Sequence, residues 1–275
     1  MEVILWREIY DQAEGKATDR ELKAVEFLRE NERAISESLV AAVAELYPTI
    51  RAWLQECGVP EDELAEIAPL VEGVQAIRGL IGLGEVHVLP SHADEPPYLG
   101  LVLGCSWDEE HGLGAAFRGV ELIKLGDAAV GFDGSIPASD RILRNVEEHL
   151  ARSGVGQRHT MSRRQALWRY APWSEGPWPE LAVCDESGRL ILAVDVTDFH
   201  WEGEERWPQH FIQYRKEHQS FVRLTIGDVK PVLRVWKREA PDGADWKPIR
   251  EAFGTEATIR LDELGIDLPA AAVYS

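Results

Sequence analysis

The sequence predicts two domains, an α+β domain of helices followed by an antiparallel sheet and then a mixed α/β domain. The chain of 275 residues is longer than one average domain of ~150 residues. Apolar residues recur at helical spacing up to about residue 80, and short apolar runs broken by glycine, proline and aspartate follow them. We place the boundary between residues 1–135 and 136–275, with Gly134–Ser139 as the linker.

Helical signals dominate the start of the first domain. Thr18 and Asp19 are suitable N-caps for a long amphipathic helix that carries acidic residues on its outer face. Tyr47–Pro48 is expected to end this helix, and Ile50–Cys57 is expected to form another. Pro60 then begins a further helix, with acidic residues near the positive end of the helix dipole.

Strands are predicted wherever short apolar runs lie between turn residues. In the first domain they are an edge strand at Val3–Trp6, then Glu85–Leu89, Tyr98–Gly104, Ala115–Arg118, Val120–Leu125 and Ala128–Phe132. In the second domain they are Leu181–Cys184, Leu190–Val196, Phe221–Ile226 and Pro231–Lys237. The predicted helices of the second domain are Ser139–Arg152, Ser162–Tyr170 and Glu204–His218.

The charge of the chain is very unevenly distributed. The formal net charge is -19, of which residues 1–150 carry -17 and residues 151–275 carry -2. Such a field repels nucleic acid and accelerates association with basic partners, although a net charge also serves solubility alone. Because the charge is confined to one half, we favour a basic partner protein for the first domain.

The remaining composition indicates a soluble cytoplasmic protein. The cysteines Cys57, Cys105 and Cys184 are odd in number and widely spaced, which predicts reduced thiols and neither a disulfide framework nor a cysteine zinc site. No window approaches the roughly 18 apolar residues that cross a bilayer, and the first residues lack the apolar core of a secretory signal.

The densest polar cluster of the sequence lies between two predicted strands, at Cys105–Gly114. A metal site fits it poorly, because consecutive residues on a turn cannot all converge on one ion. Two interpretations remain. One is a tight connection in which glycines supply unusual dihedral angles and Trp107 caps the core. The other is an acidic loop at a partner-binding surface, formed by Trp107, Asp108, Glu109, Glu110 and His111.

The stretch YLGLVLGCSWDEEHGLG, followed by a strand and LGDAAVGF, resembles a bacterial domain of unknown function. That family has helices first and a W-D-x-E-H-G-x-G turn near its end, and the resemblance covers about residues 1–135. The motif residues here are Trp107, Asp108, Glu110, His111, Gly112 and Gly114. Some members lie near polymorphic toxin genes and are suspected immunity proteins. The resemblance therefore implies a partner-binding or defence-related role and no particular activity.

Residues 140–240 carry an acidic residue, Glu180, before a hairpin whose second strand ends on another, Asp195. This arrangement resembles the core of the PD-(D/E)xK superfamily and implies an α/β restriction-endonuclease-like domain. The resemblance implies that Glu180 and Asp195 hold Mg²⁺ and that a lysine two residues further on helps to activate water. Thr197 stands at that lysine position, so the pattern is damaged, with Arg215 or Lys216 as conceivable substitutes.

Two functions follow from these observations. The first is a non-enzymatic immunity or antitoxin-like protein, without cofactor or catalytic residues, that binds a basic partner such as a nuclease toxin. The alternative is a diverged Mg²⁺-dependent nuclease acting on DNA or RNA, or a degenerate nuclease fold kept only as a scaffold or sensor. The tryptophans of the second half lie among basic residues and could stack bases, but core packing is the favoured interpretation.

Overall fold

The computed structural model describes most of the chain and divides it into two compact units. The described residues are 2–5, 17–92, 95–163, 180–197, 222–227, 231–238 and 246–275. Those up to Pro137 form the first unit, and those from Ala138 onward form the second. The helix predicted at Glu204–His218 lies outside the described residues, and so do Arg215 and Lys216.

The first unit is built on one long helix, α1, which spans Asp19–Glu56. Its N-terminus has a capping box, because the Thr18 hydroxyl accepts a hydrogen bond from the Glu21 amide while the Glu21 carboxylate accepts one from the Thr18 amide. The predicted N-cap is therefore confirmed. The buried residues of α1 recur at steps of mostly three and four and are Ala24, Leu28, Ile35, Leu39, Val40, Val43, Tyr47, Ile50 and Leu54.

The predicted end of this helix at Tyr47–Pro48 is wrong, because α1 continues through Pro48 as a single helix. A proline inside a helix costs ~3 kcal/mol, since it removes one hydrogen bond and crowds the preceding turn. The apolar face nevertheless continues past it, with Ile50 and Leu54 buried in the same core as Tyr47. Burial of such side chains stabilises by ~1.5–3 kcal/mol each, which offsets the cost of the proline.

Two short helices follow α1. Helix α2 spans Glu61–Ile67 and begins directly after Pro60, which confirms the predicted start. Leu64 is its fully buried anchor in the core of the first unit. Helix α3 spans Val74–Ile77 and leads into the sheet.

The first unit has a five-stranded sheet in which neighbours in sequence are neighbours in space. Its strands are β1 (Glu2–Leu5), β2 (Ile81–Leu89), β3 (Tyr98–Cys105), β4 (Leu113–Arg118) and β5 (Glu121–Gly126). β2 to β5 are antiparallel, as predicted, and β1 lies at an edge, parallel to β2. One continuous core contains α1, α2 and α3 together with residues of β2 to β5.

The strand predicted at Ala128–Phe132 is wrong, because these residues form a 3-10 helix. The Asp127 carboxylate caps its start by accepting a hydrogen bond from the Ala129 amide at 3.1 Å. The helix rests on β3 and β4 at glycines, and a Cβ built at Gly100 would lie 1.7 Å from the Gly131 carbonyl oxygen. A Cβ at Gly114 would lie 2.2 Å from the Asp127 carbonyl oxygen. The segment therefore packs onto the face of the sheet and does not extend it.

The second unit contains a six-stranded mixed sheet in the order β11-β10-β9-β8-β7-β6. β8 and β9 are parallel, and every other neighbouring pair is antiparallel. The strands are β6 (Thr160–Arg163), β7 (Leu181–Cys184), β8 (Leu190–Thr197), β9 (Val222–Gly227), β10 (Val232–Arg238) and β11 (Trp246–Phe253). The other described elements are helix α4 (Ile136–Arg152), which belongs to the second unit from Ala138 onward, a 3-10 helix (Val155–Gln157), the hairpin β12 (Thr258–Leu261) and β13 (Ile266–Pro269), and helix α5 (Ala270–Val273).

Two predictions around α4 need correction. The helix begins at Ile136, so most of the segment predicted as the linker Gly134–Ser139 is helical. Ser162 and Arg163, predicted to begin a helix, belong to β6 and pair with β7. The buried carboxylate of Asp140 on α4 accepts hydrogen bonds from Arg163 at 2.6 Å and Arg144 at 3.2 Å, which ties β6 to the helix.

Among the described residues, no helix combines the length and apolar character that a membrane crossing requires.

The glycine contact beneath the first 3-10 helix makes a testable prediction. We expect Gly100→Ala to lower the free energy of unfolding of the first unit by at least ~2 kcal/mol, because the new methyl group meets backbone that cannot move aside. The control is Gly104→Ala on the same strand, where a Cβ meets nothing within 4 Å. That change should be neutral or stabilise by up to ~1 kcal/mol. Guanidinium unfolding measures both, and equal effects would contradict the contact.

Candidate functional site

Asp108 organises the turn between β3 and β4. Its carboxylate accepts a hydrogen bond from the His111 amide at 3.0 Å, and the His111 imidazole Nδ1 lies 3.0 Å from the same oxygen. The Asp108 carbonyl accepts from the Gly112 amide at 2.9 Å and from the Cys105 thiol at 3.5 Å. These contacts close the turn on itself and hold its backbone in one conformation.

Gly112 ends the turn in a conformation that favours glycine. Its φ is +62°, and a Cβ there would lie 2.7 Å from the Leu103 carbonyl oxygen. The interpretation of the glycines as residues with unusual dihedral angles is therefore confirmed at Gly112. At Gly114 the requirement is different, because that glycine lets the 3-10 helix approach the sheet.

Trp107 is buried, with 4% of its surface exposed. Its ring meets Tyr47 of α1 edge to face, with the ring centroids 5.5 Å apart and an interplanar angle of 64°. Trp107 therefore belongs to the core and is not displayed to a partner. The surface predicted from Trp107–His111 is reduced to the exposed Glu109, Glu110 and His111, with the Asp108 side chain only 12% exposed.

The turn lies beside the end of α2. The Ser106 hydroxyl donates a hydrogen bond to the Ile67 carbonyl at 2.7 Å, and the Ser106 amide donates to the Leu80 carbonyl at 3.0 Å. The Tyr47 hydroxyl of α1 donates a hydrogen bond to the carbonyl of Pro69, two residues after Ile67, at 2.8 Å. These side chains connect segments that are far apart in sequence, which is why sequence reasoning did not single out Ser106 or Tyr47.

Exposed acidic residues lie on α2 and on the segments that flank it. We call them the α2 acidic surface, and its residues are Glu56, Glu61, Asp62, Glu63, Glu66 and Glu72. Between Arg51 and Arg78 the sequence has no lysine, arginine or histidine, a signal that was available from the sequence alone. Hydrogen bonds from Arg51, at 2.6 Å, and Gln55, at 3.3 Å, hold the pKa of Glu61 below its usual value.

The second unit brings together the two acidic residues predicted as metal ligands. Leu181 of β7 pairs with Val194 of β8, which places Glu180 and Asp195 opposite each other at the same end of the hairpin. The Glu180 carboxylate accepts a hydrogen bond from the Val196 amide at 2.8 Å. The Asp195 carboxylate lies 3.4 Å from the Glu180 amide and is 8% exposed.

Carboxylate oxygens of this kind are the ligands that Mg²⁺ prefers, so the donor type of Glu180 and Asp195 fits that ion. The described residues offer few ligand atoms to such an ion at this place. One oxygen of each carboxylate faces a backbone amide, and the described residues contain no group of three or more histidine, cysteine or acidic side chains that could hold a metal. Thr197 lies in β8 at the position of the missing lysine. The sequence also offers Asp198 and His200 as possible further ligands beside Asp195, and both lie outside the described residues.

Comparison with known proteins places the turn and the α2 acidic surface in one domain. Residues 2–132 match the family described as Domain of unknown function (DUF6985). The match spans β1 to β5, α1 to α3 and the first 3-10 helix. The prediction that the N-terminal half carries a domain of unknown function is therefore confirmed. A search of curated proteins found no match.

The region that matches DUF6985 contains a cysteine near a histidine, but the geometry does not make them a nucleophile and its base. Burial raises the pKa of the Cys105 thiol to about 11. The thiol faces the Asp108 carbonyl at 3.5 Å, while the His111 ring faces the Asp108 carboxylate. A thiol with a raised pKa is a poor nucleophile, because the thiolate is the reactive form.

We expect iodoacetamide at pH 8 to modify the exposed Cys57 at least ~100-fold faster than Cys105, since only about one Cys105 thiol in a thousand is ionised there. Mass spectrometry of the labelled peptides measures both rates. In the guanidinium-unfolded chain the two cysteines should react alike. Equal rates in the folded protein would show that Cys105 is an accessible, activated thiol.

Proposed function

We propose that the protein is a non-enzymatic binding protein of the immunity or antitoxin kind, whose DUF6985 domain captures a basic partner such as a nuclease toxin. The α2 acidic surface carries this proposal. It holds six exposed carboxylates beside the turn that exposes Glu109 and Glu110, in the half of the chain with a formal charge of -17. The resemblance to suspected immunity proteins supports the same function.

The charge acts mainly through association rate and specificity. A single exposed ion pair contributes only ~0.2–1 kcal/mol, so no single carboxylate can account for tight binding. A surface of one sign raises the encounter rate with an oppositely charged protein by a factor of ~10–1000, and salt reduces that gain. The large negative charge also disfavours nucleic acid as the partner of this domain.

The surface is also held in place before a partner arrives. The Asp108–His111 contacts fix the turn, and the Ser106–Ile67 hydrogen bond fixes the turn relative to α2. A preorganised surface loses less conformational entropy on binding than a flexible loop. We therefore expect Glu109 and Glu110 to contact a partner together with the α2 acidic surface.

The proposal predicts a salt-dependent complex that charge reversal at α2 weakens. With the partner captured from the source cells and then purified, the dissociation constant should rise steeply between 50 and 500 mM NaCl, conditions chosen to span weak and strong screening. Asp62→Lys together with Glu66→Lys should raise the dissociation constant at low salt by about tenfold or more.

The matched control is Glu186→Lys with Glu256→Lys, which reverses two exposed acidic residues of the second unit and changes the net charge equally. This control should alter the dissociation constant less than about twofold. A dissociation constant independent of salt would overturn the proposal. So would a control that weakens binding as much as the α2 variant.

A second candidate is a metal-dependent phosphodiesterase in the second unit, and one observation favours it. Glu180 and Asp195 lie opposite each other on neighbouring strands, in a mixed sheet where a helix precedes three antiparallel strands and the next strand is parallel. Two such carboxylates would supply oxygen ligands to a divalent ion that activates water. Thr197 weighs against it, because a hydroxyl cannot supply the positive charge of the missing lysine.

This candidate predicts that Mn²⁺ binds the native protein and that Asp195→Asn abolishes the binding together with any cleavage of single- or double-stranded DNA and RNA. Calorimetry and a nuclease assay measure the two effects, and circular dichroism checks that the variant is folded. Glu186→Gln, in the exposed turn of the same hairpin, is the control and should leave both unchanged. Absence of Mn²⁺ binding, or binding unaffected by Asp195→Asn, would exclude the candidate.

A further inference from the structure

The first unit contains a cavity of about 490 Å³ between the first turns of α1 and the end of β2. Its apolar lining comes from both elements and from the segment that leads into β3, and it comprises Ala24, Phe27, Val88, Leu89, Pro90 and Pro97. A volume of this size lies within the ~300–1000 Å³ typical of small-molecule sites. The cavity is separate from the turn and from the α2 acidic surface, since it shares no lining residue with them.

Two cations line this cavity, Arg20 and Lys23. The Arg20 guanidinium donates a hydrogen bond to the Ser91 hydroxyl at 2.8 Å, which is an uncharged partner. Among the described residues, no carboxylate forms an ion pair with Arg20 or Lys23. Within the described residues, both cations therefore remain available to an anionic group in the cavity.

Two carboxylates also line the cavity, but both are engaged by neighbouring backbone. Glu21 accepts hydrogen bonds from the Thr18 amide at 2.6 Å and the Thr18 hydroxyl at 2.8 Å, in the capping box of α1. Glu95 accepts from the His92 amide at 3.4 Å. Among the described residues neither carboxylate is paired with Arg20 or Lys23, so both cations can meet an anionic group of a ligand.

We propose that this cavity binds a small amphipathic anion, with an apolar ring or short chain against Phe27 and Val88 and an acidic group at Arg20 and Lys23. A mostly apolar cavity with a few polar groups at one side fits this class of ligand, because the apolar body supplies affinity and the charged group fixes orientation. Carboxylate, sulfonate and phosphate groups share this chemistry. The site is independent of the proposed partner binding.

The probe for this site is 1-anilinonaphthalene-8-sulfonate, an apolar two-ring system with one sulfonate, titrated into the full chain by fluorescence and calorimetry. We expect saturable binding of one probe per chain. Arg20→Glu with Lys23→Glu should weaken it by about tenfold or more, since two attractive contacts become repulsive. Helix α1 should tolerate these changes, because Arg20 lies in the first turn, where acidic residues are favourable, and Lys23 is exposed.

The matched control is Arg29→Glu with Arg33→Glu, which makes the same change in net charge on the same helix at positions that do not line the cavity. It should change the affinity less than about twofold.

A neutral probe, N-phenyl-1-naphthylamine, distinguishes the contribution of the ligand's charge to binding from that of its shape. Its affinity should be nearly the same for the Arg20→Glu/Lys23→Glu variant and the native protein, while Ser91→Trp, which fills the cavity, should abolish binding of both probes.

Three results would overturn the inference. The first is an absence of saturable binding. The second is equal weakening by the two charge-reversed variants, which would show that only overall charge matters. The third is a Ser91→Trp variant that still binds the anionic probe with native affinity, which would place the probe elsewhere.

Discussion

The close contact between the first 3-10 helix and the sheet is the constraint on which the functional end of the first unit depends. Gly100, Gly114 and Gly131 bring backbone against backbone, at distances that a single methyl group would prevent. With the 3-10 helix in place, the Ala128 amide donates a hydrogen bond to the His111 carbonyl at 3.0 Å. The turn that follows β3 is thus fixed by the hydrogen bond from the 3-10 helix and by the hydrogen bonds of Asp108 within the turn.

From this turn the constraint extends to the α2 acidic surface. Ser106 connects the turn to the end of α2, and Trp107 packs on Tyr47 of α1. Trp107, Asp108, Gly112 and Gly114 of the turn therefore have mainly structural contacts, and exposed carboxylates lie next to them in sequence at Glu109 and Glu110. In our account the motif positions the acidic surface, and the carboxylates of that surface make the contacts with a basic partner.

Much of this fold follows from local sequence signals. The cap at Thr18, the helix after Pro60 and the strands β2 to β5 were predicted, because capping, proline geometry and short apolar runs between turn residues are signals that act over a few residues. The continuation of α1 through Pro48 was missed, because tertiary burial outweighed a local penalty. The 3-10 helix at Ala128–Phe132 was predicted as a strand, because an apolar run does not reveal that it packs on glycines of other strands.

The candidate sites, too, could be predicted only where the signal lies within a short stretch of sequence. The opposition of Glu180 and Asp195 followed from the hairpin pattern. The sequence left open whether Trp107 caps the core or is displayed, because its packing partner Tyr47 is far away in sequence. The cavity beside Arg20 was not predicted, because its lining comes from segments separated by about seventy residues of chain. Pairing between distant segments is set by packing, and no local pattern encodes it.

We propose that the α2 acidic surface of the first unit, and not the carboxylate pair of the second unit, contacts the biological partner. Hydrogen exchange of the full chain, with and without its purified partner, tests this most directly, because backbone amides covered by a partner exchange more slowly. Our account predicts slower exchange at residues 56–72 and 106–112. Protection confined to the second unit, with these two segments unchanged, would contradict it.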